Sequence, residues 1–394
     1  MTDAILVLNA GSSSLKFAVY PAEAGDAILK GKVAGIGTDP VFSATDAQGL
    51  SLLLAGPRIP KNASDRDDLI PSLLAWLSAQ RPDITFTAAG HRVVHGGLHQ
   101  TGPARITHKL LADLKALVPL APMHQPHSLA AIGCVALALP DLPQIACFDT
   151  AFHRTMPRLA QLFALPREMT DDGVLRYGFH GLSYDYISGC LPHHLGNKAK
   201  GRVIVAHLGS GASMCALKNH QSVATSMGFT ALDGLMMGRR SGALDPGVVL
   251  YLMQEKGMCA ADITTLLYEQ SGLLGVSGIS SDMKVLETST APEAEEAIDL
   301  FCARAAGELA SLATSLGGLD AIVFTAGIGE SSARVRSGIC DRLGWMGVAL
   351  DTSANTRNAT RISAISSDID VLVIPTDEEV VVAEATRTLT GKTP

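Results

Sequence analysis

Positive charge is in short supply in this sequence: 31 Lys and Arg stand against 38 Asp and Glu, a formal net charge of −7. Nucleic acid and anionic membrane surfaces demand basic surface, so neither is expected as a partner. Any anionic substrate must then be gripped by a few local cations. Long hydrophobic runs are also missing. The longest, Ala130–Leu139, falls well short of a membrane span, and Ile5–Leu8 is too short for the apolar core of a signal peptide. The seven cysteines (Cys134, Cys147, Cys190, Cys215, Cys259, Cys302 and Cys340) are odd in number and form no C-x-x-C, which argues for a reducing compartment. The expected location is cytoplasmic. What remains is an ordinary globular composition, 47% apolar, with 394 residues available for two domains that each bury a core.

One stretch organises the rest. Ile5–Tyr20, ILVLNAGSSSLKFAVY, sets two strand-like runs, Ile5–Leu8 and Leu15–Tyr20, around Asn9-Ala10-Gly11-Ser12-Ser13-Ser14. Small residues let backbone N–H groups converge on an anion without side chains in the way. Lys16 adds a point charge for a phosphate. The unit recurs at Val203–Leu217, VIVAHLGSGASMCAL, with His207 in place of Asn9 and Gly209-Ser210-Gly211 in place of Gly11-Ser12-Ser13, between strands of the same lengths. Two such units about 200 residues apart suggest two related lobes with a phosphate between them. Two unrelated hairpins are the alternative, since Gly and Ser are common turn residues.

Further along, Gly31–Ala55 alternates as antiparallel strands with turns at Gly37–Pro40 and Asp46–Gly49, and Asp67–Gln80 has helical periodicity. Ile84–Ala89 reads as a buried strand running into Gly90-His91-Arg92-Val93-Val94-His95-Gly96-Gly97. His91, His95 and His99 are spaced for a metal only on a helix, which the Gly96-Gly97 pair disfavours. Arg92, at the strand end, either projects into a cleft or forms a surface ion pair. Lys109–Leu117 reads as helix, Pro119–His127 as a rigid loop and Ser128–Leu139 as helix. Gln144–Phe148 is a strand that delivers Asp149 where α/β sheets meet ligands and metals; capping the next helix is the alternative.

The second half opens with Tyr177-Gly178-Phe179-His180-Gly181 before a helix at Ser183–Ser188. Gly228–Gly247, which carries Arg239 and Arg240, is too glycine-rich for regular structure. A loop of that length is functional or disordered, and its apolar content argues against disorder. Helices are expected at about Val248–Glu255, Asp262–Glu269 and Glu293–Leu316. Ala321–Phe324 is a buried strand leading through Thr325-Ala326-Gly327-Ile328-Gly329-Glu330-Ser331 to a helix from Ser332, a place for a nucleotide phosphate or ribose. ITFTAAG from Ile84 and IVFTAG from Ile322 echo each other, as do the strand before Asp149 and Val371–Ile374, which delivers Thr376-Asp377-Glu378-Glu379. One carboxylate-bearing strand end per lobe suits a metal better than two caps.

The ordered motifs LNAGSSSLKF, GHRVVHGG, CFDTAFH, YGFHGLS, AHLGSGAS, TSMGFTALDGLMMGRRSG, TAGIGE and TDEE resemble those of the acetate kinases, in the acetate and sugar kinase/actin superfamily, over nearly the whole length. The resemblance implies an α/β architecture, a two-lobed duplicated ribonuclease H-like (actin-like ATPase) fold with the active site in the interdomain cleft. The first lobe would be residues 1–149 with 379–394 returning as a C-terminal helix, and the second 150–378. It further implies a homodimer, Mg²⁺ or Mn²⁺, and the reaction ATP + acetate ⇌ ADP + acetyl phosphate. Asn9 and Glu378 match the metal positions, Lys16 the ATP-phosphate lysine and Arg92 the arginine that binds the acid. Asp149 matches the essential aspartate, and His180 and Arg240 the transition-state stabilisers. The ATP-binding segments are matched by His207, Leu208, Gly209, Ser210 and Gly211, by Asp282, Met283 and Lys284, and by Gly327, Ile328, Gly329, Glu330 and Ser331. Val94, Met123, Phe179 and Ala231 match the apolar pocket for the acetate methyl.

Departures from the family pattern bear on specificity. Ser210 and Ser331 stand where the family has Asn, Lys284 where it has Arg, Gln125 for Asn, Ala243 for an acid and Asp377 for Asn. Ala231 replaces a proline and Met123 a leucine, which opens the acid pocket to a longer acid. A propionate or other short-chain acyl kinase, and an actin-like ATPase that needs no acid, are the alternative activities.

Overall fold

A computed structural model describes residues 1–11, 14–36, 39–52, 56 and 69–391. Ser12 and Ser13 of the first hairpin turn, Gly37 and Thr38 of the next turn, residues 53–55 of the alternating tract and residues 67–68 of the expected helix lie outside the described residues. The chain forms two compact units, Met1–Phe152 with Asp377–Pro394, and His153–Thr376.

The first unit is built on β1 (Thr2–Ala10), β2 (Ser14–Pro21), β3 (Leu29–Ala34), β4 (Val41–Asp46), β5 (Ile84–Val93), β6 (Ala104–Arg105) and β7 (Gln144–Phe148), in sheet order β4-β3-β2-β1-β5-β7-β6. The second is built on β8 (Val203–Leu208), β9 (Ala212–Lys218), β10 (Gln221–Thr225), β11 (Ala321–Thr325) and β12 (Asp370–Val373), in order β10-β9-β8-β11-β12. The two sheets share one plan. An antiparallel meander, β1-β2-β3 or β8-β9-β10, is followed by two strands parallel to its first member, β5 and β7 or β11 and β12. That is the duplicated ribonuclease H-like α/β fold expected from the repeated motifs, although the paired hairpins differ in strand length, nine and eight residues against six and seven.

Central strands read as continuous apolar runs because both faces are covered. In the first unit, Leu6 and Leu8 of β1 pack with Leu73, Leu77, Ala131 and Val135 of the helices Leu69–Gln80 and Gln125–Ala138. The helix Glu378–Thr390 lies so close on β5 that a Cβ at Gly90 would overlap Val382 and Thr386. In the second unit, the 25-residue helix Pro292–Leu316 buries eleven side chains against the sheet and its neighbours.

Several boundaries differ from the sequence reading. β5 continues through Arg92 to Val93, and its first four residues are not buried, because they pair with the exposed start of β1 at the open end of the sheet. The helix expected from Ser128 begins at Gln125, with Pro126 in its first turn, where a missing N–H costs nothing. The helix expected at Ser183–Ser188 runs from Gly181 to Leu195, straight past Pro192. Pro192 cannot bond the Ser188 carbonyl, and His220 Nδ1 takes that acceptor at 3.1 Å instead. The glycine segment after β11 is itself a short helix, Ala326–Ser331; the Glu330 carboxylate accepts from the Ala326 N–H at 2.7 Å and satisfies its first turn.

Candidate active site

The parallel strands of the first sheet end together, and their last residues form one polar cluster. Arg92 meets Asp149 side-on, Nε to Oδ1 at 2.9 Å and Nη2 to Oδ2 at 2.6 Å, and its Nη1 donates to Asn9 Oδ1 at 3.1 Å. Asn9 Nδ2 in turn donates to Glu378 Oε2 at 3.4 Å, and Glu378 stands 3.8 Å from Arg92 Nε. Burial opposes the charge of Arg92, but Asp149, Glu378 and Glu379 outweigh it and raise its pKa. Capping of the last helix falls to Asp377, whose side chain accepts from the Val380 N–H, so Glu378 is not the cap. Lys16 lies 4.0 Å from Glu379 and Lys30 2.5 Å from Asp377. Three cations thus face four carboxylates, an excess of negative charge. Val94 is buried just beyond this cluster's strand and Met123 is half-buried in the same unit.

His91 and His95 are buried and His99 is exposed. Among the described residues no group of three or more His, Cys, Asp or Glu is arranged to hold a metal. Buried His91 is pushed down to about 4 by desolvation, with Gln144 opposing.

In the second unit the hairpin between β8 and β9 is the counterpart. His207 at the end of β8 stacks on His180, ring centroids 4.2 Å apart and 17° from parallel. A Cβ on Gly211 would stand 3.4 Å from His180 Nε2 and 3.8 Å from Arg240 Nη1, so imidazole and guanidinium both face a bare stretch of hairpin backbone. The long glycine-rich loop is well tied: Gly238 N donates to Ser210 O at 3.1 Å, Arg240 Nη1 to the Ala231 carbonyl at 3.0 Å, and Leu235, Met236 and Met237 are buried. Ala231 therefore sits beside Arg240. Phe179 is held through its carbonyl, which accepts from His153 Nε2 at 2.9 Å. Burial pushes His153 down to about 4, with the Phe179 bond opposing, so the ring is a neutral donor there.

A cavity of about 500 Å³ opens next to that hairpin, lined by Gly209, Ser210, Asp282, Met283, Lys284, Gly327, Ile328 and Ser331, among others. Three segments far apart in sequence are thereby brought to one space.

Sequence reasoning missed the residues that hold these parts in place. His153 closes the motif CFDTAFH and was not singled out. Arg336 is fully buried, and its five N–H groups go to Asn355 Oδ1 and O, Asn358 Oδ1 and the carbonyls of Gly329 and Glu330, all between 2.6 and 3.0 Å. Arginine in an amphipathic helix usually means surface, and no spacing in the sequence distinguishes this one.

The sequence model of the Acetokinase family matches residues 4–384. An acetate kinase of Rhodopseudomonas palustris is 53% identical over 390 residues, 97% of each chain. Among solved structures, a propionate kinase of Francisella tularensis superposes with a TM-score of 0.90 at 36% identity, covering 98% of this chain and 99% of that one. An acetate kinase of Porphyromonas gingivalis does so with a TM-score of 0.86 at 35% identity and the same coverage.

Arg336→Met should lower stability by about 3–5 kcal/mol in urea unfolding, because five acceptors, three of them in buried bonds, lose their donor at once. A variant as stable as the parent would show that water replaces the guanidinium and that Arg336 does not anchor the Gly327–Ser331 segment.

Proposed function

The chain belongs to the acetokinase family, and from that premise we propose that it catalyses reversible phosphoryl transfer between ATP and acetate, giving ADP and acetyl phosphate. The observation that carries this reading is the bare Gly211 backbone faced by His180 Nε2 and Arg240 Nη1 beside a cavity lined by the three ATP-segment motifs.

Acetate is ionised at neutral pH, so no general base is needed to activate it. The chemistry asks for cations that hold two anions in line and neutralise the equatorial phosphoryl oxygens. Arg92 keeps one N–H on each of Nη1 and Nη2 beyond its bonds to Asp149 and Asn9, and these meet the acid's carboxylate. His180 and Arg240 donate to the phosphoryl oxygens, and the hairpin His207–Gly211 with Lys16 steadies the phosphates. Asp149, committed to Arg92, orients that guanidinium and is not a base. Glu378 and Asn9 offer hard oxygens inside a cluster with surplus negative charge, which fits Mg²⁺ or Mn²⁺. A divalent ion there supplies charge neutralisation for the nucleotide phosphates. At the positions that match the family's methyl pocket, Ala231 and Met123 are smaller and more flexible than the residues of the family pattern, which favours a longer acid.

The helix Pro246–Gln254, PGVVLYLMQ, has no buried residue, and Val248, Leu250, Tyr251 and Met253 are exposed. An apolar helix left uncovered is a partner surface, and a second copy of this chain fits the expected homodimer. A cytoplasmic location is proposed on the seven scattered cysteines, none in a C-x-x-C; among the described residues no helix is long and apolar enough to cross a membrane.

Steady-state kinetics, metal titration and sedimentation test this. With Mg-ATP, ADP formation should depend on added acid, with propionate within about tenfold of acetate in kcat/KM and butyrate far behind; acid-independent hydrolysis would favour an actin-like ATPase, and propionate a hundredfold worse would remove the widened pocket. Arg240→Ala should lower kcat at least about a hundredfold. Arg92→Ala should act mainly on the KM for the acid, and Glu378→Gln should weaken the Mg²⁺ dependence; an unchanged metal titration would dismiss Glu378 as a ligand. Finally, Leu250→Glu with Met253→Glu should convert a dimer to a monomer in sedimentation velocity, and a dimer that survives both charges would place the interface elsewhere.

A further inference from the structure

The two stacked imidazoles of the second unit are each anchored at Nδ1 by a serine, and each serine is bonded onward to another hydroxyl. His180 Nδ1 lies 2.8 Å from Ser213 Oγ, which lies 2.5 Å from the phenolic oxygen of Tyr184. His207 Nδ1 lies 2.8 Å from Ser183 Oγ, which donates to Thr376 Oγ1 at 2.9 Å. A serine hydroxyl has one proton to give, so the direction of each chain decides which imidazole nitrogen carries the hydrogen.

The directions are opposite. Ser183 spends its proton on Thr376, so His207 must donate from Nδ1, which leaves its Nε2 an acceptor. In the other chain a phenol faces an aliphatic alcohol, and the phenol is much the stronger acid. Tyr184 and Ser213 are fully buried, and desolvation raises the phenol's pKa, so Tyr184 keeps its proton to donate. Ser213, receiving from Tyr184, turns its own proton to His180 Nδ1. In the neutral form of the His180 ring the proton then sits on Nε2, the nitrogen that faces Gly211. His180 also holds a left-handed backbone, φ 59°, a conformation costly for a residue with a Cβ and retained where a side chain must be aimed.

We propose that Tyr184 and Ser213 are positioning residues that lock His180 in its Nε2–H tautomer, presenting a hydrogen-bond donor to an anion on the Gly209–Gly211 turn. The role as a donor to a phosphoryl group rests on the phosphotransferase reading above; the tautomer itself does not. A wrong tautomer presents a lone pair to an anion and removes the donor outright.

The test is long-range ¹H–¹⁵N correlation of the full-length enzyme labelled at histidine, with His180 assigned by the signal lost in His180→Gln. His180 should show a protonated Nε2 and a bare Nδ1, and His207 the reverse. Tyr184→Phe, which keeps the ring and the packing, should move the His180 pattern toward a tautomer mixture. It should lower kcat about tenfold while the KM for ATP and acetate stays within about twofold. Ser213→Ala should do the same, and the double variant should be little worse than either, since both act through one chain. A parent His180 protonated at Nδ1, or a Tyr184→Phe variant with unchanged tautomer and unchanged kcat, overturns the proposal. A parent that shows the expected tautomers yet turns over no acid leaves the relay standing and removes the acetokinase reading of the site.

Discussion

Parallel pairing is the constraint on which the rest depends. Once β5 and β7 run parallel to β1, and β11 and β12 parallel to β8, the C-terminal ends of three strands in each sheet lie side by side. Whatever polar residue follows each strand is then delivered to one edge, where backbone N–H groups and side chains are no longer used by the ladder. Asn9, Arg92 and Asp149 meet for that reason in the first unit. In the second, His207 closes β8, the helix Ala326–Ser331 starts as β11 ends, and Thr376, whose N–H donates to Glu330 Oε1 at 3.2 Å, follows β12. The polar edge is a consequence of topology before it is a matter of chemistry.

This explains how much of the site was legible beforehand. A strand shows itself as a run of apolar β-branched residues, and the residue after the run is named by position alone; Asp149 and the two hairpins stand out that way, whereas Glu378 is singled out from Thr376–Glu379 only by the family resemblance. The duplication was legible because both copies keep the same strand–turn–strand order, although neither turn is diagnostic by itself. What stayed hidden is what does not follow a period. His153, Ser213 and Tyr184 act through contacts across non-adjacent elements, and Ser213 sits in β9 where a serine reads as an ordinary strand residue. Helix limits failed where a local breaker was compensated at long range, as at Pro192, which leaves the Ser188 carbonyl without its helical donor, a gap met by His220, 28 positions beyond the proline.

The edge of the first sheet carries an excess of negative charge, whereas the turn of the second carries donors. Asp149, Glu378, Glu379 and Asp377 outnumber the lysines and arginine beside them, so an anionic acid entering that cluster meets repulsion unless a cation joins it. Burial raises the pKa of Glu379, with Lys16 pulling it back and Glu378 and Asp377 adding to the rise. The turn of the second unit is different in kind. Gly209 and Gly211 contribute backbone, and the side chains that a Cβ on Gly211 would meet first are His180 and Arg240.

Donor accounting separates an arginine whose N–H groups are all used within the fold from one whose bonds leave some unused. Arg336 gives all five N–H groups to neutral acceptors at good distance, so no incoming anion can recruit it without breaking a bond already made. Arg92 is held just as firmly in orientation, but by three contacts, two of them to a carboxylate that also supplies the countercharge for burial. Removing Asp149 would leave the guanidinium free to swing and would uncover a buried charge; keeping it fixes the remaining N–H edge in one direction. A carboxylate partner is therefore what turns Arg92 from a mobile surface cation into a directed one. The same logic applies to the serine behind each imidazole: bonding Nδ1 fixes the direction in which the rest of the ring points.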